Sequence, residues 1–370
     1  MNLNLSDEQR ILTDMVARFT TDHYDIAKRA EYKNSEIGFS QKNWDLMADT
    51  GILAIPFSEE YGGLNGSSGD IISVMRPLGR AVAVEPFLAC LTLAGDFLNK
   101  AGSQSQKQTW IPQIIEGKTC LALAHVEHQS RFDLGFVRTS YTMTANGPRL
   151  NGHKTFVMGA GTASAFIVSA IEENTNADDN NSIRFFIVDA NAQNLRRRNY
   201  RLIDGSVACE LELNDTAGEI MDGRFEDFLK SVSISKIAAC AEMVGLMEVL
   251  FETTLEHVKT REQFGRPLAK FQVIQHRLAD AYAHLEMSRS HLVNLAAITP
   301  SNPEYHKVIS GSKAAISNFA IRIAEEAVQL HGGMGISDEL IIGHALKRIK
   351  LLTILFGDAD AEMRRYTLAA

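Results

Sequence analysis

Cysteine is scarce in this chain: four among 370 residues, Cys90, Cys120, Cys209 and Cys240. No two form a C-x-x-C pair, and none has a histidine at metal-ligand spacing. A disulfide scaffold and a zinc ribbon are therefore excluded, and buried thiols in a reducing compartment are expected. No apolar run reaches the ~20 residues that span a bilayer. The opening MNLNLSDEQR lacks a basic stretch followed by an apolar one. No secretory signal is expected, and the cytoplasm is the expected location. Positive charge is also short, with 37 Lys and Arg against 45 Asp and Glu, a net −8. That balance argues against nucleic acid as the main partner. An anionic small ligand needs only a local cluster of positive groups. Walker A, H-E-x-x-H and a strand-linked G-x-G-x-x-G are absent, as is any internal repeat.

With 45% hydrophobic and 22% charged residues, the composition is that of a globular protein of two or three domains. The first third reads as helical. Ser6 and Gln9 form a capping box, and Ile11, Met15 and Phe19 mark one helical face. Further helical patterns cover Trp44–Met47, Ile71–Ala83 and Pro86–Leu98, interrupted by the Gly62-Gly63 loop. The middle third holds short β-leaning runs: 119–126, 139–144, 154–158, 165–170, 183–188 and 207–213. Turn clusters such as Asn146-Gly147, Asn151-Gly152 and Asp178-Asp179-Asn180-Asn181 separate them. This predicts an antiparallel sandwich or barrel. Four long apolar stripes follow, on Ile237–Val258, Phe271–Leu285, Ile316–Leu330 and Ile342–Leu352, predicting an antiparallel four-helix bundle. The expected fold class is α+β and mostly α. It has an N-terminal helical domain (1–117), a middle β domain (118–228) and a C-terminal helical bundle (229–370).

Two segments stand apart. Arg261-Glu262-Gln263-Phe264-Gly265-Arg266-Pro267, followed by Phe271-Gln272, joins two helices. Its arginines are either solvated turn charges or a grip on an anionic group. Gln329-Leu330-His331-Gly332-Gly333-Met334-Gly335 ends the third bundle helix. Its glycines are either a C-cap or a place where backbone N–H groups approach a phosphate.

Together these segments resemble the acyl-CoA dehydrogenase family over nearly the whole chain. The residues carrying the resemblance are R-x-x-F-G-x-P-L with F-Q-x-x-x-H-x-L-A-D, then Q-x-x-G-G-x-G. LSDEQR, PFSEEYGGL and LNGHKTF fit as well. The resemblance implies a helical–β–helical subunit that binds FAD and assembles as a dimer or tetramer. It implies desaturation of an acyl-CoA: a carboxylate takes the α-proton, the β-hydride goes to the flavin, and a trans-2-enoyl-CoA remains. An electron-transfer flavoprotein, or another acceptor, would reoxidise the flavin. Arg261, Gln263, Phe264, Gln272, Gln329, Gly332 and Gly333 match positions that hold the ADP half of FAD, reaching toward the neighbouring subunit's flavin.

Other positions depart from the family pattern. Where the family reads T-E-P-x-A-G-S-D, this chain has Val126-Glu127-His128-Gln129-Ser130-Arg131-Phe132-Asp133. Where it reads W-I-T-N, this chain has Phe156-Val157-Met158-Gly159. The catalytic Glu of the family's Y-E-G-T segment falls on Phe356. A small gap would place Asp358 there instead, although Asp358 also reads as a helix N-cap. The alternative base position corresponds to Ser235, beside Lys236. The residues for a neighbour's FAD are thus kept, and those for this chain's own flavin and substrate are eroded. Three expectations follow. The first is one subunit of a heteromeric (α2β2) dehydrogenase whose partner carries the base, acting on steroid or other bulky CoA thioesters. The second is a homo-oligomeric dehydrogenase with Asp358 as catalytic base. The third is a binding or scaffold protein that keeps the fold without the chemistry.

Overall fold

The computed structural model describes residues 6–173 and 180–368. Asp178 and Asp179 of the expected turn lie outside the described residues. In chain order the helices are α1 (Asp7–His23), α2 (Ile26–Asn34), α3 (Gln41–Asp49), α4 (Ser68–Arg80), α5 (Asp96–Ala101) and α6 (Gln104–Ile115). A π-helix, Phe87–Gly95, precedes α5. The strands follow: β1 (Cys120–Ala124), β2 (Ser140–Thr144), β3 (Gly147–Met158), β4 (Ala163–Glu172), β5 (Arg184–Asp189), β6 (Leu195–Arg201), β7 (Val207–Ala217) and β8 (Glu219–Ile220). Then come α7 (Phe225–Thr260), the ribbon β9 (Glu262–Gln263) and β10 (Arg266–Pro267), α8 (Gln272–Ala297), α9 (Tyr305–His331), α10 (Ile341–Ile354) and α11 (Ala359–Leu368). The α+β class, helical at both ends and β in the middle, is as the sequence predicts.

The chain forms two compact units that cut across chain order. One comprises Met1–Glu31, Ser67–Ala83 and Lys236–Ala370. Within it, α9 packs against α8, α10 and α11, and α1 packs against α4. The Ser6 capping box is present: Ser6 Oγ accepts from the Gln9 N–H at 3.1 Å, and Gln9 Oε1 accepts from the Ser6 N–H at 3.1 Å. Helices α4 and α7 meet backbone to backbone. A Cβ added at Gly245 would collide with the Arg76 carbonyl oxygen, and one at Gly79 with that of Glu242. Beside this contact the buried Glu248 carboxylate accepts from Arg76 (2.6 Å) and Arg289 (2.9 Å). Three guanidiniums, counting Arg80 at 3.4 Å, surround one buried anion, so removing any one weakens rather than strands it.

The second unit comprises Tyr32–Gly66 and Val84–Ser235. Its eight-stranded sheet runs β6-β7-β3-β2-β4-β5-β8, with β1 added on β4. The sheet departs from the antiparallel expectation at two places. Strand β1 runs parallel to β4, from Cys120 opposite Ala163 to Ala124 opposite Val168, and β2 is also parallel to β4. Strand periodicity reports which face is buried but not which neighbour a strand takes. Tyr141, Leu150, Val157, Phe166, Phe186 and Leu211 fill the core between the sheet faces. Phe97, Phe185 and Phe228 form a second aromatic cluster, with centroids 4.6–6.0 Å apart.

Candidate active-site segments

Helix α7 stops at Thr260 because the chain turns at Arg261. The Arg261 N–H still donates to the His257 carbonyl at 2.8 Å, while its own carbonyl accepts from Leu268 at 2.9 Å. Between them, Gln263 pairs with Arg266 across a two-residue hairpin. Phe264 (φ 53°) and Gly265 (φ 76°) occupy its tip, so both central residues are left-handed, as a type I′ turn requires. Phenylalanine is strained there and is 92% exposed, a combination that marks a contact residue rather than a packing one. The Arg266 guanidinium lies 4.1 Å from the Phe271 ring centroid, which fixes the hairpin base against the start of α8 at Gln272.

The Gln329 segment closes α9. Gly332 has φ 62° and donates its N–H to the Gln329 carbonyl. A Cβ at Gly332 or Gly333 would meet nothing within 4 Å, so the backbone here is open to solvent rather than packed. Two histidines that sequence reasoning missed join the segments. The His257 and His331 rings stack at 4.2 Å, linking the end of α7 to the end of α9. His331 Nδ1 lies 2.8 Å from the Ala327 carbonyl and so carries the proton. Burial, then the neighbouring His331 and Arg261 charges, hold His257 below the ordinary imidazole range. Spacing could not have shown this pair, because each histidine reads alone as one polar position near a helix end. Arg261 and the Gln329–Gly333 turn thus share one end of the bundle. Arg261, Gln263, Phe264, Gln272 and Gln329 are all exposed. The Arg261 guanidinium makes no hydrogen bond or ion pair among the described residues. An open guanidinium beside exposed glycine backbone is the donor set that a dinucleotide pyrophosphate requires, so these residues fit the ADP half of FAD.

The expected base segment lies between α10 and α11. Phe356 has φ 63° and Gly357 φ 136°. Asp358 caps α11, its Oδ1 accepting from the Ala361 N–H at 2.8 Å. Lys313, fully buried, spans this segment: its Nζ donates to Ser317 Oγ (3.3 Å), the Thr353 carbonyl (3.2 Å) and the Gly357 carbonyl (3.5 Å). Burial drives the Lys313 amine down to about 8. Buried Glu362 pairs with Lys236 at 2.8 Å and with Arg365. Ser235 is buried and donates to the Thr92 and Ser231 carbonyls, both at 2.9 Å.

In the other unit, the segment after β1 is built on a buried polar chain that sequence reasoning also missed. Glu127 accepts from Lys154 Nζ (2.7 Å), the Thr139 N–H (2.9 Å) and Thr139 Oγ1 (2.8 Å). Lys154 also donates to Ser169 Oγ at 3.0 Å. Ser169 in turn donates to His125 Nδ1 at 3.0 Å, and His125 Nε2 donates to the Leu134 carbonyl at 2.8 Å. Burial, reinforced by the Lys154 charge, holds the His125 imidazole down to about 3, so it stays neutral. Burial also lowers the Lys154 amine, to about 8, against the pull of Glu127. The one available signal was a lysine within the alternating run of β3. Val126 follows this network, its carbonyl accepting from Thr155 at 2.8 Å. Arg131 (φ 47°) and Phe156 (φ 56°) are left-handed. Bulky residues in left-handed geometry thus recur at three of the departures from the family pattern, at Arg131, Phe156 and Phe356, as they do at the Phe264 tip.

The acyl-CoA dehydrogenase N-terminal domain matches residues 6–118, the middle domain residues 122–216 and the C-terminal domain residues 225–369. A probable acyl-CoA dehydrogenase, YngJ, of Bacillus subtilis is 28% identical over 381 residues, covering 100% of this chain and 99% of the relative. In fold, the chain resembles a variant of the Tcur3481-Tcur3483 steroid ACAD, with TM-score 0.88, 24% identity and coverage of 99% and 98%. It also resembles the ChsE4-ChsE5 complex from Mycobacterium tuberculosis, with TM-score 0.90, 24% identity and coverage of 100% and 98%. With all three domains matched in order along the chain, the protein belongs to the acyl-CoA dehydrogenase family of FAD-dependent oxidoreductases.

Proposed function

We propose that this chain is one subunit of a heteromeric acyl-CoA dehydrogenase, whose dinucleotide-gripping end completes a partner's FAD site and whose partner supplies the catalytic base. We read it as three consecutive domains, 1–117, 118–228 and 229–370. The carrying observation is Phe356, which stands in left-handed geometry at the family's base position with no carboxylate. Removing a proton α to a thioester requires a base within hydrogen-bond reach. Phe356 cannot accept it, and Ser235 already donates into the backbone of its own helix. Asp358 spends one carboxylate oxygen capping α11. FAD, where bound, supplies the two-electron acceptor. The part of this chain is to hold the diphosphate with Arg261 and the Gly332-Gly333 backbone, and to stack Phe264 and position Gln263, Gln272 and Gln329 against the dinucleotide. Both structural neighbours described above are two-component assemblies, one of them a steroid ACAD, which supports a heteromer and a bulky acyl-CoA substrate. The electron acceptor expected is an electron-transfer flavoprotein.

The test is to purify the chain alone and together with the product of its neighbouring gene. The co-purified complex is expected to hold about one FAD per two chains and to oxidise acyl-CoA, with the lone chain inactive. Asp358→Ala should leave the activity of the complex within roughly threefold, its cost being the loss of a cap. One FAD per chain, with activity in the lone protein that Asp358→Ala abolishes, would instead establish Asp358 as the base. A colourless complex, unreactive with acyl-CoA, would identify a scaffold.

A further inference from the structure

The ends of α7 and α9 meet through two imidazoles. His257, one turn before Arg261, and His331, the residue before Gly332, stack with centroids 4.2 Å apart and ring planes at 23°. The Arg261 N–H closes the last helical turn on the His257 carbonyl at 2.8 Å, so the two residues lie one above the other. His331 is buried, and its Nδ1–H is spent on the Ala327 carbonyl at 2.8 Å. That bond orients the His331 ring, and the stack holds His257 against it. The pair is therefore a direct tie between Arg261 and the Gly332-Gly333 backbone. Nothing packs on the glycines themselves, since a Cβ at either would meet no atom within 4 Å.

The same arrangement makes the pair sensitive to charge. Burial, then the charges of His331 and Arg261, hold His257 below the ordinary imidazole range, so it is neutral near pH 7 in the free protein. The other charged groups around this end are accounted for. On α7, Lys259 pairs with Glu256 at 3.6 Å. On α9, Glu326 pairs with Arg277 at 2.6 Å and Glu325 with Lys350 at 2.8 Å. Glu262, Arg266 and Lys270 are exposed between α7 and α8, and His276 is exposed on α8, one turn after Gln272.

We propose that His257 is a positioning residue for the dinucleotide diphosphate and takes up a proton when that anion binds. The inference rests on the dinucleotide reading of this end of the bundle. An anion held by Arg261 cancels the repulsion between the guanidinium and a protonated His257, and adds an attraction of its own. The charged imidazole is then more favoured in the bound state than in the free one. The proton comes from solvent and goes to a ring nitrogen of His257, while His331 keeps its single Nδ1 proton. By linkage, affinity for the diphosphate rises as the pH falls through the interval between the bound and free values of His257, and is level outside it.

The test uses the co-purified complex, stripped of flavin, with FAD as the probe. The FAD phosphates are diesters that do not titrate near neutral pH, so a proton taken up belongs to the protein. Titration calorimetry in two buffers of different ionisation enthalpy is expected to show net uptake of part of a proton per FAD bound. Affinity should strengthen between about pH 8 and about pH 6, by up to about tenfold for each unit by which binding raises the His257 value. His257→Tyr keeps an aromatic face without the titration, so it should abolish the uptake and level the pH profile. His276→Gln should change neither, and His257→Ala should weaken FAD retention at every pH. Affinity that falls with acid, or uptake that survives His257→Tyr, overturns the inference. Binding without proton exchange in the unaltered complex overturns it while leaving the dinucleotide site standing. Absence of FAD binding, or binding indifferent to Arg261→Ala, overturns that site and the inference together. The proton count of the unaltered complex decides the matter even where a variant fails to fold.

Discussion

Arg261 is the residue on which dinucleotide retention should turn. Its guanidinium is uncommitted among the described residues, and a charge-assisted hydrogen bond to a diphosphate contributes about 1.5–3 kcal/mol. Arg261→Ala should therefore weaken FAD retention in the assembled protein by roughly ten- to a hundredfold, read by flavin release on dilution. His125 gives a prediction of the opposite kind, about folding rather than binding. Its folded-state value, about 3, lies far below the unfolded value of 6.5. Between those limits the unfolded chain binds a proton that the native chain does not. The stabilising contribution is complete above pH 6.5 and is lost as the pH falls toward 3, by up to about 1.4 kcal/mol per pH unit. A thermal-unfolding series over that window should show the decline, and His125→Gln should flatten it. The residues proposed to hold the dinucleotide were named through the family resemblance of their motifs, because by themselves the arginine turn and the glycine turn read equally as solvated charge and as a helix cap. His125 was not, because its partners Ser169 and Lys154 come from two other strands.

At the scale of elements, α4 and α7 cross where each offers a glycine. The carbonyl oxygen of Arg76 occupies the space a side chain at Gly245 would need, and a helix backbone cannot move aside as a rotamer can. Gly245→Ala should cost about 1–3 kcal/mol, measured by urea unfolding, with the transition slope unchanged. Element type was legible almost throughout. The Ser6 capping box forms, and the four apolar stripes of the last third are helices α7 to α10. The segment after Pro86 shows what periodicity leaves out. Every residue from Phe87 to Gly95 is buried, so no face distinguishes an α-helical repeat from the wider π turn that forms. The parallel pairing of β1 escaped for a related reason. All five of its residues are buried, and a strand buried on both faces carries no alternation to show its orientation.

For the whole molecule, the revealing surface is the start of α8. Between Gln272 and Asp280 no residue is buried, and Val273, Tyr282 and Met287 are exposed large apolar side chains along this helix. Phe264 adds a fully presented ring at the hairpin before it. Sequence alone read Phe271–Leu285 as a core stripe, because apolar spacing looks the same on a helix that packs within its chain and on one that awaits another chain. Such an area needs a cover. Light scattering of the co-purified complex should give a mass well above the 40.8 kDa of this single chain, and Val273→Asp should reduce it. The order of domains could be read from composition shifts. The gathering of Met1–Glu31 with Lys236–Ala370 could not, since it depends on contacts far apart in the chain.

Lys313 bears on how firmly the Phe356 turn is held. An ammonium has three hydrogens, and this one spends them on Ser317, Thr353 and Gly357. The amine left after deprotonation, above about pH 8, has only two. In mildly alkaline solution one of those three oxygens must let go, and with the longest of the bonds, that to Gly357, the turn would lose an anchor.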